Sequence, residues 1–217
     1  MSAVSPVGAR MGRMVRVVLV RHGETSWSRQ RRHTGRSDIA LDEEGRRRAA
    51  VLAPILADVP VEALVLTSPL RRARDTAELA GLGGRAQVCD DLVEWDYGDY
   101  EGRRTSDIRA EIPGWTVWTH PIVGGESLEQ VGARADRVIT RVTDHGGLAV
   151  LFSHAHLLRI LAARWCGWSP EAGRSLTLQP ASVSVLGHER EVPVIEQWDV
   201  VPAAPGGVVI DPASPAR

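Results

Sequence analysis

The sequence predicts an α/β fold, a three-layer α/β/α sandwich built on a mostly parallel central sheet. Short apolar runs of strand length, VRVVLV, ALVLT and LAVLFS, alternate along the chain with segments of helical period. Such alternation is typical of a sheet that helices cover on both faces. The chain has 217 residues, 43% of them hydrophobic, so we expect one core in a single domain over residues 15–200. Residues 1–14 and 201–217 show no period and are expected to be flexible.

The amino-terminal half of this domain contains two strand-then-helix patterns. A strand is predicted over residues 15–20, and a helix over 43–57 follows it. A second strand over 63–67 leads into a helix for which Ser68 supplies the N-cap and Pro69 the first helical position. The next part of the chain, residues 87–125, shows neither period. We therefore predict that it is rich in loops.

The carboxyl-terminal half begins with a capping box. Ser127 and Gln130 have the spacing of this motif and open a helix that is predicted to run to about residue 142. A strand over 148–153 and a helix over 157–165 come next. The last strand candidates cover residues 182–187 and 194–200.

Composition excludes several classes of function. The formal net charge is −1, which argues against a broad basic surface for nucleic acid or for an anionic membrane. All 26 basic residues are arginine, so a P-loop lysine, a Schiff base and a lysine general base are excluded.

Cysteine content and hydropathy bear on location. Cys89 and Cys166 are the two cysteines of the chain and lie far apart, which disfavours a disulfide scaffold or a zinc knuckle and favours a reducing cytoplasm. No stretch approaches the about 18 apolar residues of a membrane span, and the first fourteen residues lack the apolar run of a secretory signal. A cytoplasmic protein is therefore predicted.

Polar residues follow three of the predicted strands at the point where each strand ends. In open α/β sheets, ligands bind beyond the carboxyl ends of the strands. If the three strands are neighbours, histidines and arginines from all three converge on one pocket. These residues are Arg21 and His22 after the first strand, Ser68, Arg71 and Arg72 after the second, and Ser153, His154 and His156 after the third.

The chemistry of these side chains favours a phosphoryl ligand. Arg21 and Arg72 offer forked donors that match a doubly charged phosphoryl group, and the helix N-terminus after Ser68 would add free N–H groups. His22, with an ordinary pKa near ~6.5, can be neutral and nucleophilic towards phosphorus. Departure of the leaving group needs a proton donor, for which Glu94 is the first candidate.

Each of these features also has a simpler explanation. A histidine after a strand is most often hydrogen-bonded in a turn, and SPLRRARDTA is an ordinary amphipathic helix with a solvated arginine face. His154 and His156 could form a metal pair, but no group of acidic residues accompanies them at metal-site spacing. A lone Glu94 would usually be a surface carboxylate. The joint occurrence of all these residues at successive strand ends is what favours the phosphoryl site.

The motifs LVRHGETSWS, SPLRRARDTAEL, VEWDYG, GGES and FSHAHLLR, in this order, resemble those of the histidine phosphatase superfamily, which is also called phosphoglycerate mutase-like. The resemblance covers residues 15–165 and implies the α/β/α fold of that family. It identifies His22 as the nucleophile that becomes phosphorylated and Arg21 and Arg72 as phosphate-binding residues. It makes His154 the second histidine of the pocket and Glu94 the proton donor. No metal or organic cofactor is expected.

The resemblance also implies substrate-side positions, at some of which this chain departs from the family pattern. Thr34, Gly35 and Tyr97 match substrate-pocket positions. Ser28 stands where the mutases have asparagine, and Ala155 stands where the family usually has glycine.

The departures favour hydrolysis over phosphoryl transfer. Thr105 replaces a lysine of the mutases, and the insertion that brings the mutases an arginine pair is absent. We therefore predict a metal-independent phosphomonoesterase of the histidine acid phosphatase type, acting on small phosphorylated metabolites through a phosphohistidine on His22. The alternative function is that of a 2,3-bisphosphoglycerate-dependent phosphoglycerate mutase. A third hypothesis is a non-catalytic protein that binds a phosphorylated ligand.

A narrower likeness concerns the substrate. EWDYGDYEG, the pair Trp115 and Trp118, and SHAH resemble a subgroup with sedoheptulose-1,7-bisphosphatase and actinobacterial acid phosphatases. This likeness implies a sugar phosphate or a broad range of phosphomonoesters. A small phosphate ester is the expected partner, without nucleic acid or membrane, and a homodimer is left open.

Overall fold

The computed structural model describes residues 15–202 and contains a six-stranded sheet with the order β3-β2-β4-β1-β5-β6. The first four strands in this order run parallel, and β5 and β6 are antiparallel additions at one edge. This confirms the predicted α/β class with a mostly parallel sheet. Of the ends predicted to be flexible, 1–14 and 201–217, all but residues 201 and 202 lie outside the described residues. The strands are β1 (Arg16–Arg21), β2 (Leu64–Thr67), β3 (Gln87–Val88), β4 (Leu148–Ser153), β5 (Val183–Glu189) and β6 (Val192–Val200).

Seven α-helices accompany the sheet within residues 15–202. None of them combines the length and the apolar character needed to cross a membrane. Short 3₁₀ helices occur at Gly83–Arg85, Asp90–Leu92, Gly98–Tyr100 and Pro170–Ser175. The α-helices are α1 (Ser26–Arg29), α2 (Glu43–Ala50), α3 (Ala53–Leu56), α4 (Arg71–Leu79), α5 (Thr105–Glu111), α6 (Leu128–His145) and α7 (Ala155–Trp165).

The two faces of the sheet bury two separate hydrophobic clusters. Because side chains alternate along a strand, Val17 and Leu19 of β1 point to one face and Val18 and Val20 to the other. The first face packs against residues of α5, α6 and α7. The second packs against residues such as Leu52 and residues of α3 and α4. Helices therefore cover both faces, which gives the three layers.

The helix predicted over 43–57 is divided into α2 and α3. Pro54 occupies the first turn of α3. Proline has no N–H with which to continue the helical hydrogen bonds of α2, and its ring clashes with the carbonyl four residues earlier. The helical period of the apolar residues continues across this break, which is why the sequence pattern does not reveal it.

The predicted helix start at Ser68 and Pro69 is wrong. Helix α4 begins at Arg71, and the extended residue before it, Leu70, provides no side-chain cap. The Arg71 N–H instead donates to Asp38 Oδ1 at 2.7 Å, so a distant loop caps the helix. The Ser68 hydroxyl accepts from the Leu70 N–H at 3.3 Å and contacts His154, as described below.

The two other helix predictions hold with shifted bounds. Ser127 and Gln130 form the expected capping box, and α6 extends beyond residue 142 to His145. Helix α7 begins two residues earlier than predicted. The region 87–125 is mostly irregular, as predicted, but it also contains the short strand β3 and the helix α5.

Candidate active site

The three strands that end in polar residues are neighbours in the sheet, in the order β2-β4-β1. Backbone hydrogen bonds continue one residue past the strands: the His22 N–H donates to Ser153 O and the Ser68 N–H donates to Phe152 O, both at 2.9 Å. The chain segments that leave β1, β2 and β4 therefore lie side by side at the carboxyl end of these parallel strands. This adjacency is the condition on which the predicted site depends.

His22 is buried, and one of its ring nitrogens is fixed by the backbone. Nδ1 lies 2.7 Å from Gly23 O. Because a carbonyl oxygen only accepts, Nδ1 carries the hydrogen and the lone pair of the neutral ring is on Nε2. Burial lowers the pKa of His22 well below its ordinary value, and Arg72 and Arg21 lower it further. His22 is therefore a neutral imidazole with an unprotonated Nε2.

The turn at Gly23 requires a residue without a side chain. A Cβ atom at this position would lie 2.4 Å from the carbonyl oxygen of Gly45, much closer than non-bonded atoms approach. The Gly23 N–H donates to Thr76 Oγ1 of α4 at 3.1 Å. The turn that carries His22 is thus packed against α2 and tied to α4.

Two arginines adjoin His22 in different ways. Arg21 donates from Nη1 to Leu178 O, while its buried Nε has no hydrogen-bond partner within residues 15–202. Arg72 is fully buried, and its Nε donates to His154 Nδ1 at 3.1 Å. Its other donors bind carbonyl oxygens of the 34–37 loop. Burial lowers the pKa of both guanidinium groups. Both stay charged, because arginine does not lose its proton in proteins.

His154 lies next to His22, with 5.1 Å between the ring centroids. Since Nδ1 accepts from Arg72, Nε2 carries the hydrogen and donates to Ser68 Oγ at 2.8 Å. Burial lowers the pKa of His154 well below its ordinary value, and Arg72 and His22 act in the same direction. The two histidines are therefore both neutral, and residues from all three strand ends form one hydrogen-bonded group.

Glu94 is buried and held by three backbone N–H groups. Its carboxyl oxygens accept from the N–H of Trp95 at 2.9 Å and from those of His156 and Leu157 at 3.0 Å. The last two belong to the first turn of α7, where N–H groups lack partners within the helix. The carboxyl group of Glu94 is thereby fixed at the same end of the sheet as His22.

Arg134 of α6 supports the segment that carries Glu94. It forms a two-pronged ion pair with Glu126, with distances of 2.7 and 2.8 Å. Its Nη1 donates to the carbonyl oxygens of Asp91 and Val93, each at 2.8 Å. The side chain of Glu126 in turn accepts from the N–H of Asp96. Arg134 is thus a positioning residue for the backbone on both sides of Glu94.

A cavity of about 180 Å³ opens beside His22. Gly35, Arg72 and His154 do not line it. Within residues 15–202, no group of three or more His, Cys, Asp or Glu side chains is arranged to hold a metal ion. Of the predicted site residues, those that line the cavity are Arg21, His22, Ser28, Thr34, Glu94, Tyr97 and Ala155.

The predicted substrate-side residues have defined partners. Ser28 Oγ donates to Glu24 Oε1 at 2.6 Å and also completes the capping box of α1. Thr34 Oγ1 donates to Arg32 O at 3.0 Å. Gly35 is a position where a Cβ would lie 2.4 Å from the Trp95 carbonyl oxygen. The loop around Thr34 and Gly35 is thus closely packed against the segment that follows Glu94.

The sequence assigned no role to five residues that line the cavity, although it placed His156 at the strand end that leads to the pocket: Thr25, Arg31, Arg32, His33 and His156. For two of them, the sequence position next to a motif residue could have indicated a place at the cavity. His33 directly precedes the Thr34-Gly35 pair, and His156 follows His154 at the spacing that places both at the start of α7. Burial lowers the pKa of His33 to about 4. Arg31 and Arg32 offered no such indication, because an arginine in a polar loop is usually solvated.

Known proteins resemble this chain over most of its length. An acid phosphatase of Mycobacterium tuberculosis is 41% identical over 180 residues, which are 82% of this chain and 88% of that protein. The sedoheptulose 1,7-bisphosphatase of Saccharomyces cerevisiae is 31% identical over 189 residues, 70% of this chain and 68% of that protein. The solved structure of the Mycobacterium tuberculosis open reading frame Rv3214 superimposes with a TM-score of 0.82 at 37% identity, covering 86% of this chain and 98% of that one.

The family assignment agrees with the geometry. The model of the histidine phosphatase superfamily (branch 1) matches residues 17–201, a range that includes all six strands except the first residue of β1. The matched range also contains His22, both arginines beside it, Glu94 and His154. The chain is an enzyme of the histidine phosphatase superfamily.

Proposed function

We propose that the protein is a metal-independent phosphomonoesterase that hydrolyses small phosphorylated metabolites, sugar phosphates among them, through a phosphohistidine on His22. The observation that carries this proposal is the Nδ1–Gly23 hydrogen bond of 2.7 Å. It leaves the lone pair of Nε2 free in a buried ring that lines the cavity and stays neutral. A neutral imidazole nitrogen is a nucleophile, whereas an imidazolium is not.

In the first step, the Nε2 lone pair attacks phosphorus and the bond between phosphorus and the ester oxygen breaks. The departing oxygen takes a proton from the Glu94 carboxyl group, so an alcohol leaves and Glu94 becomes a carboxylate. The Gly23 carbonyl stabilises the positive charge that develops on the ring, because it already accepts from Nδ1. A general acid of this kind typically contributes about 10²–10⁴-fold to the rate.

In the second step, water attacks the phosphorus of the phosphohistidine. The Glu94 carboxylate accepts one proton of that water as the bond between nitrogen and phosphorus breaks. Orthophosphate leaves, His22 returns to its neutral form and Glu94 is again protonated. The three N–H groups that hold the carboxylate keep it in place for both steps.

Arg21, Arg72 and His154 are proposed to neutralise the charge of the transferring phosphoryl group. The Nε of Arg21, which has no hydrogen-bond partner within residues 15–202, can donate to a phosphoryl oxygen. His154 has to exchange its bond with Ser68 for one with a phosphoryl oxygen. This exchange is favourable because a hydrogen bond to a charged oxygen is roughly twice as strong as one between neutral groups. Arg72, fixed against His154 Nδ1, keeps the hydrogen on the nitrogen that would make this contact.

The relatives support a phosphatase and a sugar-type substrate. One carries the name acid phosphatase and another the name sedoheptulose 1,7-bisphosphatase. The cavity of about 180 Å³ suits a small phosphate ester rather than a phosphorylated protein.

The test is hydrolysis of p-nitrophenyl phosphate by wild type and His22→Ala in the presence of EDTA. We expect wild-type turnover that EDTA does not change, and turnover at background level for the variant. Rapid quenching should trap an acid-labile phosphate on the wild-type protein alone. His145→Ala, at an exposed histidine on α6 outside the cavity wall, is the matched control and should keep activity. Acid-labile phosphate on His22→Ala, or unchanged turnover, would contradict the proposal.

Assays with 3-phosphoglycerate and with inorganic phosphate separate the alternatives. A phosphoglycerate mutase would convert 3-phosphoglycerate faster than it releases phosphate, and added 2,3-bisphosphoglycerate would accelerate it. A non-catalytic binder would hold inorganic phosphate without turnover of any ester. Either result would replace the phosphatase proposal.

A further inference from the structure

Part of the cavity lining consists of ring side chains, among them His33, Tyr97 and His156. His156 has ring neighbours on several sides. Its centroid lies 5.1 Å from that of Trp118, 5.8 Å from Tyr97 and 6.4 Å from His33. The backbone N–H of His156 donates to Glu94, so the residue is also fixed to the proposed acid. Neither the nucleophile nor the phosphoryl-binding groups use this histidine.

The tautomer of His156 follows from its contact with Tyr97. The Tyr97 hydroxyl oxygen lies 2.5 Å from His156 Nδ1. Burial raises the pKa of Tyr97 well above its ordinary value, and burial lowers the pKa of His156 well below its own, so both groups are neutral. The hydroxyl of Tyr97 has no other partner within residues 15–202, and a buried O–H that donates to nothing is costly. Tyr97 therefore donates to Nδ1, and the hydrogen of the imidazole is on Nε2.

The Nε2–H of His156 is a donor without an acceptor. No residue between 15 and 202 forms a hydrogen bond with it, and the ring lines the cavity beside His22 and Glu94. An uncharged donor at this place suits a hydroxyl, ether or carbonyl oxygen on the part of the substrate that leaves.

We propose that His156 is the residue that selects for oxygen-rich leaving groups, by donating from Nε2 to an oxygen of a sugar or polyol phosphate. This rests on the proposed phosphatase function and specifies the class of its substrate. An aryl or alkyl leaving group without such an oxygen leaves the Nε2–H unpaired and so binds less well. Tyr97 acts through His156 as a positioning residue, because its hydroxyl keeps the hydrogen on Nε2.

The test compares substrates rather than absolute rates. We measure kcat/KM for sugar phosphates of three to seven carbons and for p-nitrophenyl phosphate, and take the ratio of the best sugar phosphate to the aryl ester. His156→Phe keeps a ring and removes the donor, so the ratio should fall about tenfold, the size of one lost neutral hydrogen bond. His156→Gln keeps an N–H donor and should restore most of the ratio. Tyr97→Phe should lower it to an intermediate value, mainly through KM.

A purely structural role of His156 gives a different result. It would lower both kcat/KM values together and leave the ratio unchanged, with a parallel loss in thermal stability for the Phe and Gln variants. That outcome, or a wild-type protein that prefers the aryl ester over every sugar phosphate, overturns the proposal while the phosphatase function stands. If wild type hydrolyses neither class of ester, the phosphatase function itself fails.

Discussion

His33 makes the folded protein sensitive to acid, and the size of this effect can be calculated. Its ring packs between Tyr97 and Trp115, with centroids at 4.8 and 5.3 Å, and burial lowers its pKa to about 4 from an ordinary 6.5. Below pH 6.5 the unfolded chain therefore binds a proton that the folded protein does not. Stability falls as the pH drops from 6.5 to about 4, and His33 contributes no further loss below that. Between pH 7.5 and pH 5 the loss from this residue is about 2 kcal/mol.

The perturbation is His33→Gln, measured by urea denaturation at pH 7.5 and at pH 5. At pH 7.5 the variant should be less stable by about 1–2 kcal/mol because it loses ring packing. At pH 5 the wild type has lost the stability that depends on a neutral His33, and the variant has no such loss. The difference in free energy of unfolding between the two proteins should therefore shrink by about 2 kcal/mol. Thr105→Val loses the hydrogen bond to His33 Nε2 but keeps the titrating ring. It should therefore keep the wild-type pH dependence. Parallel pH dependences for wild type and His33→Gln would refute the reasoning.

Three further substitutions test the packing around the site. Gly23→Ala places a methyl group 2.4 Å from the Gly45 carbonyl oxygen, and we expect a loss of about 1–3 kcal/mol in urea denaturation together with most of the activity. Arg134→Met removes the support of the Glu94 segment and should lower kcat for p-nitrophenyl phosphate, since the carboxylate loses its position; an unchanged kcat would contradict this role. Ser153→Ala removes the 2.6 Å hydrogen bond that Ser153 Oγ donates to Leu92 O and should lower the free energy of unfolding by about 1–3 kcal/mol in thermal denaturation. A loss below about 0.5 kcal/mol would mean that water replaces the hydroxyl.

The family motifs and the local patterns could be read from the sequence because each depends on nearby residues. The short apolar runs located β1, β2 and β4 to within one residue at either end. The capping box at Ser127 and Gln130 is a hydrogen-bond pair three residues apart, so spacing alone predicts it. Arg21 and His22 are consecutive residues at the end of a buried strand, so their position could also be predicted from the sequence alone. Local chemistry of this kind is present before the chain folds.

Contacts between distant segments could not be read in this way. The sequence placed a helix cap at Ser68, whereas Asp38 caps α4 and Ser68 binds His154. His33 and His156 both line the cavity, and their rings lie 6.4 Å apart although the two residues are far apart in the chain. Periodicity shows which face of an element is apolar, but it does not show which element packs against that face.

The sequence by itself determined the fold class, the strand ends and the residue types of a phosphoryl site. Only the tertiary structure decided that β4 lies between β2 and β1, that Arg72 and His154 do not line the cavity, and which nitrogen of His22 is free. The physical reason is that strand order and tautomers depend on burial and on hydrogen bonds between remote segments. These interactions exist only once the chain has packed.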